Sequence, residues 1–368
     1  MCARGRHLAG RGAELTFSCV GTSATRQEPE ARHTSNDGSR SRHVTVQVII
    51  ALIATAAFLF LVLIGPFLIP ISPLQDTVPP RQLADPDSQF VEMTGLQVHV
   101  KAAGQGDPTL VLLHGFAASL FSWHQVLEPL SGAGSVVAFD RAAFGLTSRP
   151  LPGEWSGANP YSAQSQVNMT IGLMDLRGVN QAVLVGHSAG GTIAALTALQ
   201  HPERVQALVL VDPAIYRGAR GTPAWLCSLL RTPQLRRLGP LVVRRLPSQG
   251  TRMIALAWHD PAKATPEVLA GYTKPLRAEN WDRALWEFTL ATGSFDLPAR
   301  LAEITVPVLV VTGDDDRVIP TEQSVRLASE LPNARLVVVP ECGHIPQEEQ
   351  PEAFVQATLS FASELAAS

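Results

Sequence analysis

Cysteine is scarce in this 368-residue chain. Its four cysteines, Cys2, Cys19, Cys227 and Cys342, lie far apart and form no CxxC or CxxxC pair, so the sequence carries neither a zinc-ligand cluster nor a disulfide framework. An excess of charge is missing as well. Charged residues make up 17% of the chain and the net charge is -3, which leaves no basic face to expect a nucleic-acid partner from. No internal repeat stands out. Apolar side chains are plentiful at 46%, enough to bury a full core in one large or two medium domains.

The apolar residues concentrate first in residues 44–65, VTVQVIIALIATAAFLFLVLIG. This run is uncharged over about 22 residues, enough for a helix to cross a hydrocarbon core of about 30 Å. Pro66 and Pro70 then end it. Residues 1–43 mix Arg, Ser, Gly, Glu and Pro without apolar periodicity and read as disordered. They include Arg26, Arg32, Arg40 and Arg42, whereas no Lys or Arg follows the apolar run until Arg81. The charge asymmetry predicts a single-pass signal anchor with residues 1–43 in the cytoplasm and the rest on the extracytoplasmic side. A cleaved signal peptide has a shorter apolar region, usually about 7 to 15 residues. A buried core helix shows a polar stripe that this run lacks. Glu14, Glu28, Glu30 and Asp37 weaken an organelle transit peptide. Residues 66–86, containing ISPLQDTVPPRQLADP, read as a Pro-rich linker to the folded domain.

From residue 87 onward, short β-branched apolar runs alternate with helical stretches, which is the pattern of an α/β protein with a mostly parallel central sheet flanked by helices. Residues 89–93 and 98–102 alternate in polarity and predict an opening hairpin around Gly95. Runs at 109–113, 136–139, 182–185, 207–211, 306–311 and 336–339 are almost wholly apolar, as suits strands buried on both faces. Helical spacing covers 163–176, 192–199, 321–331 and 352–365.

Three constellations sit where these strands end. Gly186-His187-Ser188-Ala189-Gly190 is a G-x-S-x-G between a strand and a helix. Small flanking residues allow a turn sharp enough to project the serine side chain above the sheet, with the positive end of the next helix facing it. Ser188 is the candidate nucleophile. The second constellation, Leu113-His114-Gly115-Phe116, ends another strand. Acyl transfer needs two N–H donors where the carbonyl oxygen turns negative, and the backbone amides of Phe116 and Ala189 are the candidates. His114 reads as a structural hydrogen-bonding residue. In the third, Asp314, Asp315 and Asp316 follow one strand and His344 follows the next. A serine hydroxyl needs an imidazole to take its proton, and the imidazole needs a carboxylate to fix its tautomer. No metal or organic cofactor is required by this chemistry.

With HGF, GHSAGG, GDDDRVIP and GHIPQEEQPEAF in that order, residues from about 87 to 366 resemble the α/β-hydrolase superfamily. The stretch FDRAAFGLTSRP resembles the loop after its fourth core strand, with Ala143 where many relatives have glycine. The resemblance implies a core of residues 87–215 and 298–368, and a helical cap over 216–297 that shapes the acyl pocket. By the family pattern the acid is the third residue after the glycine, Asp316, ahead of Asp314 and Asp315. Asp212 is the runner-up, although an Asp at that strand end reads more simply as a helix cap.

The cap reads as helices broken at Pro223, Pro233, Pro240, Pro247, Pro261 and Pro266. Together with His187 and Trp123, its Trp225, Trp258 and Trp286 are candidate pocket residues, pointing to a small apolar or aromatic ester-like substrate. Arg231, Arg236, Arg237, Arg244 and Arg245 read first as a solvated basic face and second as a membrane-facing one. A serine at the elbow argues against the haloalkane dehalogenases and epoxide hydrolases, which the chain otherwise resembles and which use aspartate. Ester hydrolysis is the leading expectation. Carbon-carbon bond hydrolysis, lipase or thioesterase action and cofactor-free perhydrolysis use the same triad, and a receptor or scaffold is the alternative of another class.

Overall fold

The computed structural model describes residues 37–216, 224–246, 250–291 and 296–367, without the side chains of 37–39, 224, 227, 250–252 and 254. Two compact units divide between Leu59 and Phe60. Of the expected disordered segment, residues 1–36 lie outside this range. Residues 37–43 are helical, because helix α1 runs from Asp37 to Leu63 and starts earlier than the apolar run. No proline interrupts DGSRSRH, and Thr45 returns its hydroxyl to the Ser41 carbonyl at 2.8 Å, so the backbone ladder extends beyond the apolar residues. Within Arg40–Leu63 the most apolar 18-residue stretch has a mean hydropathy of 2.8, and none of it is buried, unlike a core helix.

The second unit is built on an eight-stranded sheet. Its strands are β1 (Gln89–Met93), β2 (Leu96–Ala103), β3 (Thr109–Leu113), β4 (Ser135–Phe139), β5 (Ala182–His187), β6 (Val205–Val211), β7 (Val308–Gly313) and β8 (Ala334–Val339). The order is β1-β2-β4-β3-β5-β6-β7-β8, with β2 antiparallel to both β1 and β4 and every other pairing parallel. The apolar runs alternate between the two faces. Val111, Leu113, Leu184, Leu208 and Leu210 enter one core, and Leu110, Leu112, Val183, Val185 and Val209 the other. Two-sided burial explains why these strands read as continuous apolar runs rather than alternating ones. Helices α4 (Ala163–Leu176), α5 (Ala189–Gln200), α11 (Thr321–Glu330) and α13 (Pro351–Ala367) follow the expected spacing closely.

Since β4 and β5 lie on opposite sides of β3, the chain reverses direction across the sheet there. Such a switch point opens a crevice at the carboxyl ends of the strands, the usual place for a ligand site.

The segment expected as a free linker is packed. It holds α2 (Gly65–Leu68), a 3-10 turn at Pro80–Leu83 and a bridge from Val78 to Ala278. Leu83 buries against Leu146 and Ala278. Lys101 and Lys274 both bind Asp85, which ties the segment to β2 and to the cap.

Between β6 and β7 lie α6 (Ala224–Leu230), α7 (Pro233–Val243), α8 (Gly250–Ala257), α9 (Pro266–Thr273) and α10 (Trp281–Ala291). Pro233 and Pro266 open α7 and α9, where a missing N–H costs nothing. Pro240, expected as a breaker, is buried inside α7. There the bare Gly239 brings Trp286 of α10 against the helix, and that packing holds α7 together despite the lost hydrogen bond. Pro223 and Pro247 lie outside the described residues.

Candidate active site

Between β5 and α5, Ser188 has φ 50° and ψ -117°, a conformation that L residues adopt only under constraint from their surroundings. Two glycines supply the constraint. A Cβ on Gly186 would stand 2.6 Å from the Gly191 Cα, and one on Gly190 would stand 2.1 Å from the Leu113 carbonyl oxygen. The strand and helix can therefore close on β3 only without side chains at these positions. Gly190→Ala is expected to displace the elbow, seen as a lowered Tm and lost turnover together. Ala189 is the first residue of α5, so its amide is among the N–H groups that a helix start leaves unpaired.

His344 follows β8, and its Nδ1–H donates to Asp316 Oδ2 at 2.7 Å. The donation fixes the tautomer and leaves Nε2 with its lone pair. Asp316 Oδ1 accepts from the amides of Val318 at 2.8 Å and Ile319 at 2.9 Å. Burial opposes the charge on Asp316, yet the hydrogen bonds from His344, Ile319 and Val318 hold its carboxyl below the usual range. The neighbouring acids turn elsewhere. Asp314 accepts from the Cys342 amide at 3.1 Å, and Asp315 pairs with Arg317 and His259.

Asp212, at the end of β6, is fully buried and accepts from Thr312 Oγ1 at 2.6 Å. Burial and then the Asp316 charge push its carboxyl well above the ordinary value, the opposite direction to Asp316, so its environment favours the protonated form. Ligand atoms of Asp212, Asp316 and His344 lie within 4.8 Å of one another, a spacing a metal ion could also use. The direct His344–Asp316 hydrogen bond accounts for two of the three, and Asp212 is turned to Thr312 and the Gly313 amide.

Three groups brace this frame. His187 Nε2–H donates to the His344 carbonyl at 2.8 Å, which joins the elbow to the loop bearing the imidazole. His114 Nδ1–H donates to the Gly115 carbonyl at 2.8 Å, and its Nε2 accepts from the Arg141 amide at 3.0 Å. Burial drives both histidines down to about 3, so both are neutral supports. Arg141, unremarked in the sequence beyond its place in FDRAAFGLTSRP, is almost fully buried. Its guanidinium donates to Gln166 Oε1 at 2.5 Å and to the Gly115 carbonyl at 3.1 Å. Ala143 in the same loop has φ 78°, the left-handed conformation for which glycine is the unstrained choice.

The candidate pocket tryptophans part company. Trp123 is fully buried in the core with Phe354, their ring centroids 6.2 Å apart, and Trp225 is 68% exposed on α6. Trp286 fills the α7–α10 contact. These three were expected at the pocket, but an apolar side chain carries the same sequence signal in a core, a helix contact or a cleft. Trp258 is buried beside the His344 loop, whose amide donates to the preceding Ala257 carbonyl at 2.7 Å. Phe116 is half-exposed and meets Phe144 at 5.7 Å and Phe288 at 6.0 Å between centroids, forming an aromatic cluster next to the HGF loop.

Tyr272 of α9 donates its hydroxyl to Glu348, on α12 (Pro346–Glu349) just after His344. Burial raises Glu348 from 4.5 to about 8. An acid whose folded value is raised favours the folded state below the unfolded value, and that stability is lost as pH climbs from 4.5 through about 8. Glu348→Gln is therefore expected to raise Tm more at pH 8 than at pH 5, measured by thermal scans at both.

The family model described as the alpha/beta hydrolase fold matches residues 108–351. The chain belongs to the α/β-hydrolase-fold family. Among its relatives, an uncharacterised hydrolase of Bacillus subtilis, YugF, is 30% identical, over 70% of this chain and 90% of its own. A 2-hydroxy-6-oxononadienedioate/2-hydroxy-6-oxononatrienedioate hydrolase of Paraburkholderia phymatum is also 30% identical, over 78% and 99%. Among solved structures, a membrane phospholipase A described as a bacterial virulence factor is 25% identical with a TM-score of 0.60. That likeness covers 89% of this chain and all of the other, a larger share of this α/β hydrolase than residues 87–368 make up.

Proposed function

We propose that this α/β hydrolase is a membrane-anchored serine esterase acting on esters with an apolar acyl group, with Ser188 as nucleophile, His344 as general base and Asp316 as the orienting acid. The observation that carries this reading is the 2.7 Å hydrogen bond from His344 to the buried, ionised Asp316 in the same strand-end crevice as a strained Ser188. Ser188 Oγ attacks the carbonyl carbon as its proton passes to His344 Nε2. The Phe116 and Ala189 amides receive the oxyanion, and each such donor is worth about 10²- to 10³-fold in rate. His344 then protonates the leaving alcohol, an acyl-enzyme forms, and water deprotonated by His344 releases the acid.

A carbon-carbon bond hydrolase is the second reading, favoured by the relative from Paraburkholderia phymatum. That relative is named for a dicarboxylate, which calls for cationic partners. The surroundings of the HGF loop here favour an apolar group instead. Phe116, Phe144 and Phe288 cluster beside it, and Arg141, lowered to about 9 by burial, is committed to Gln166 and Gly115. The anchor reading is supported by the length and apolarity of α1 and by the reach of the phospholipase likeness beyond the catalytic core. The arginines before α1 favour a cytoplasmic N-terminus.

The test compares turnover of p-nitrophenyl esters from acetate to palmitate with that of the dienedioate. Faster ester hydrolysis, rising with acyl length before it falls, is expected. Faster cleavage of the dienedioate would establish the second reading.

A further inference from the structure

The cap carries a charge that the whole-chain balance hides. Residues 217–259 contain eight arginines and no aspartate or glutamate, in a chain whose net charge is -3. Two of these arginines are neutralised within the cap, Arg236 by Glu287 and Arg244 by Asp282. Arg231 and Arg237 are held by main-chain carbonyls, so their charge stands.

The same part of the cap is apolar toward the outside. Trp225 and Leu229 on α6, Val242 on α7, Leu246 just past it, and Met253 and Leu256 on α8 are all exposed. On α7 one flank packs against α10 through Gly239 and Arg236, and a second flank meets the chain that leaves α1. The remaining flank carries Val242, exposed, and Leu238, half-buried, and Arg245 just past the helix end is exposed as well. An outward surface that combines Trp, Leu, Val and Met with arginine matches the composition of an interfacial helix, in which guanidinium groups reach the headgroups over buried apolar stems.

The position of this surface is set by four hydrogen bonds. Gln234 donates to the Leu63 carbonyl at 3.2 Å, Arg237 to those of Pro66 at 3.1 Å and Ile69 at 3.0 Å, and Arg244 to that of Ser72 at 2.8 Å. Helix α7 is thus fastened along the segment by which the chain leaves α1. Phe67, Leu68 and Ile69 in that segment are exposed as well.

We propose that the exposed apolar side chains of α6, α7 and α8, in a stretch of the cap with eight arginines and no acid, rest on an anionic lipid bilayer, the one that holds α1, so that the cap meets lipid rather than water. This rests on the anchor reading above. The occupant is a lipid surface because the eight arginines and the exposed apolar side chains belong to one stretch of the cap, and that stretch is fastened through α7 to the segment that leaves the membrane-crossing helix. An apolar ester dissolved in the bilayer would then reach the cap without crossing water.

The experiment uses the full chain with Cys2, Cys19 and Cys227 replaced by serine. Nitroxide labels are placed singly at Trp225→Cys, Val242→Cys, Phe58→Cys and Gln105→Cys, the last in the loop at the amino end of β3, away from the carboxyl strand ends that carry the triad, and esterase activity checks each fold. In nanodiscs of phosphatidylglycerol and phosphatidylcholine, labels 225 and 242 are expected to lose collisions with a water-soluble nickel chelate and gain them with oxygen, as label 58 does and label 105 does not. Pure phosphatidylcholine is expected to weaken the effect at 225 and 242 alone. If label 58 lies in lipid while 225 and 242 behave like 105, the cap proposal is overturned and the anchor stands. Shielding of 225 and 242 from both relaxants would mean that protein covers the face, which also overturns it. Water access at label 58 removes the anchor reading and the cap proposal with it.

Discussion

Replacing Ser188 with alanine is expected to lower kcat by about 10⁴- to 10⁶-fold, because nucleophile, base and acid act as one unit. The fold should be untouched by the loss of one hydroxyl. The φ of 50° at Ser188 is imposed by Gly186, Gly190 and the strands around them, and alanine meets the same backbone as serine does. An unchanged Tm with collapsed turnover on p-nitrophenyl butyrate is the expected pair of results. Because the members of the unit depend on one another, Ser188→Ala combined with His344→Ala is expected to cost little more than either alone. Additive losses would mean that serine and histidine work in separate steps.

Asp316→Asn is expected to lower kcat by about 10⁴-fold with KM little changed, since an amide in this place presents its N–H to His344 Nδ1 and selects the wrong tautomer. Asp212 makes the experiment discriminating. It lies in the same cluster and was the alternative acid on sequence grounds, yet burial and the Asp316 charge push its carboxyl well above the ordinary value and disfavour the charged form. Asparagine can keep a neutral polar group there, so Asp212→Asn is expected to stay within about tenfold of the parent. The reverse ranking of the two variants would move the acid to Asp212.

The triad candidates were legible in the sequence because the chemistry needs particular side chains at strand ends, and strand ends can be read where apolar runs stop. Ser188, Asp316 and His344 come from three loops far apart in the chain; the first two follow runs that the sheet buries on both faces, whereas His344 follows the edge strand β8, which is apolar but only partly buried. The pocket was less legible. Trp123, Trp225 and Trp286 share a residue type and end up in a core, on a surface and in a helix contact, and nothing local to them distinguishes these fates. Arg141 escaped notice for a related reason. A charged residue in a polar loop reads as solvated until the loop is seen folded under Gly115 and Gln166. Pro240 misled because helix breaking is a local rule, and the contact between Gly239 and Trp286 overrides it from another helix. The linker misled in the same way, since Leu83 finds partners in Leu146 and Ala278, which are remote in sequence.

An activated serine at the elbow is tested most directly by incubating the full chain with a fluorophosphonate and mapping the modified residue by peptide mass spectrometry, beside Ser188→Ala. One phosphonyl group on Ser188, absent from the variant, is the expected result. Unmodified Ser188 in a folded protein, or equal labelling of the variant, would contradict a serine nucleophile here and leave the crevice as a binding site.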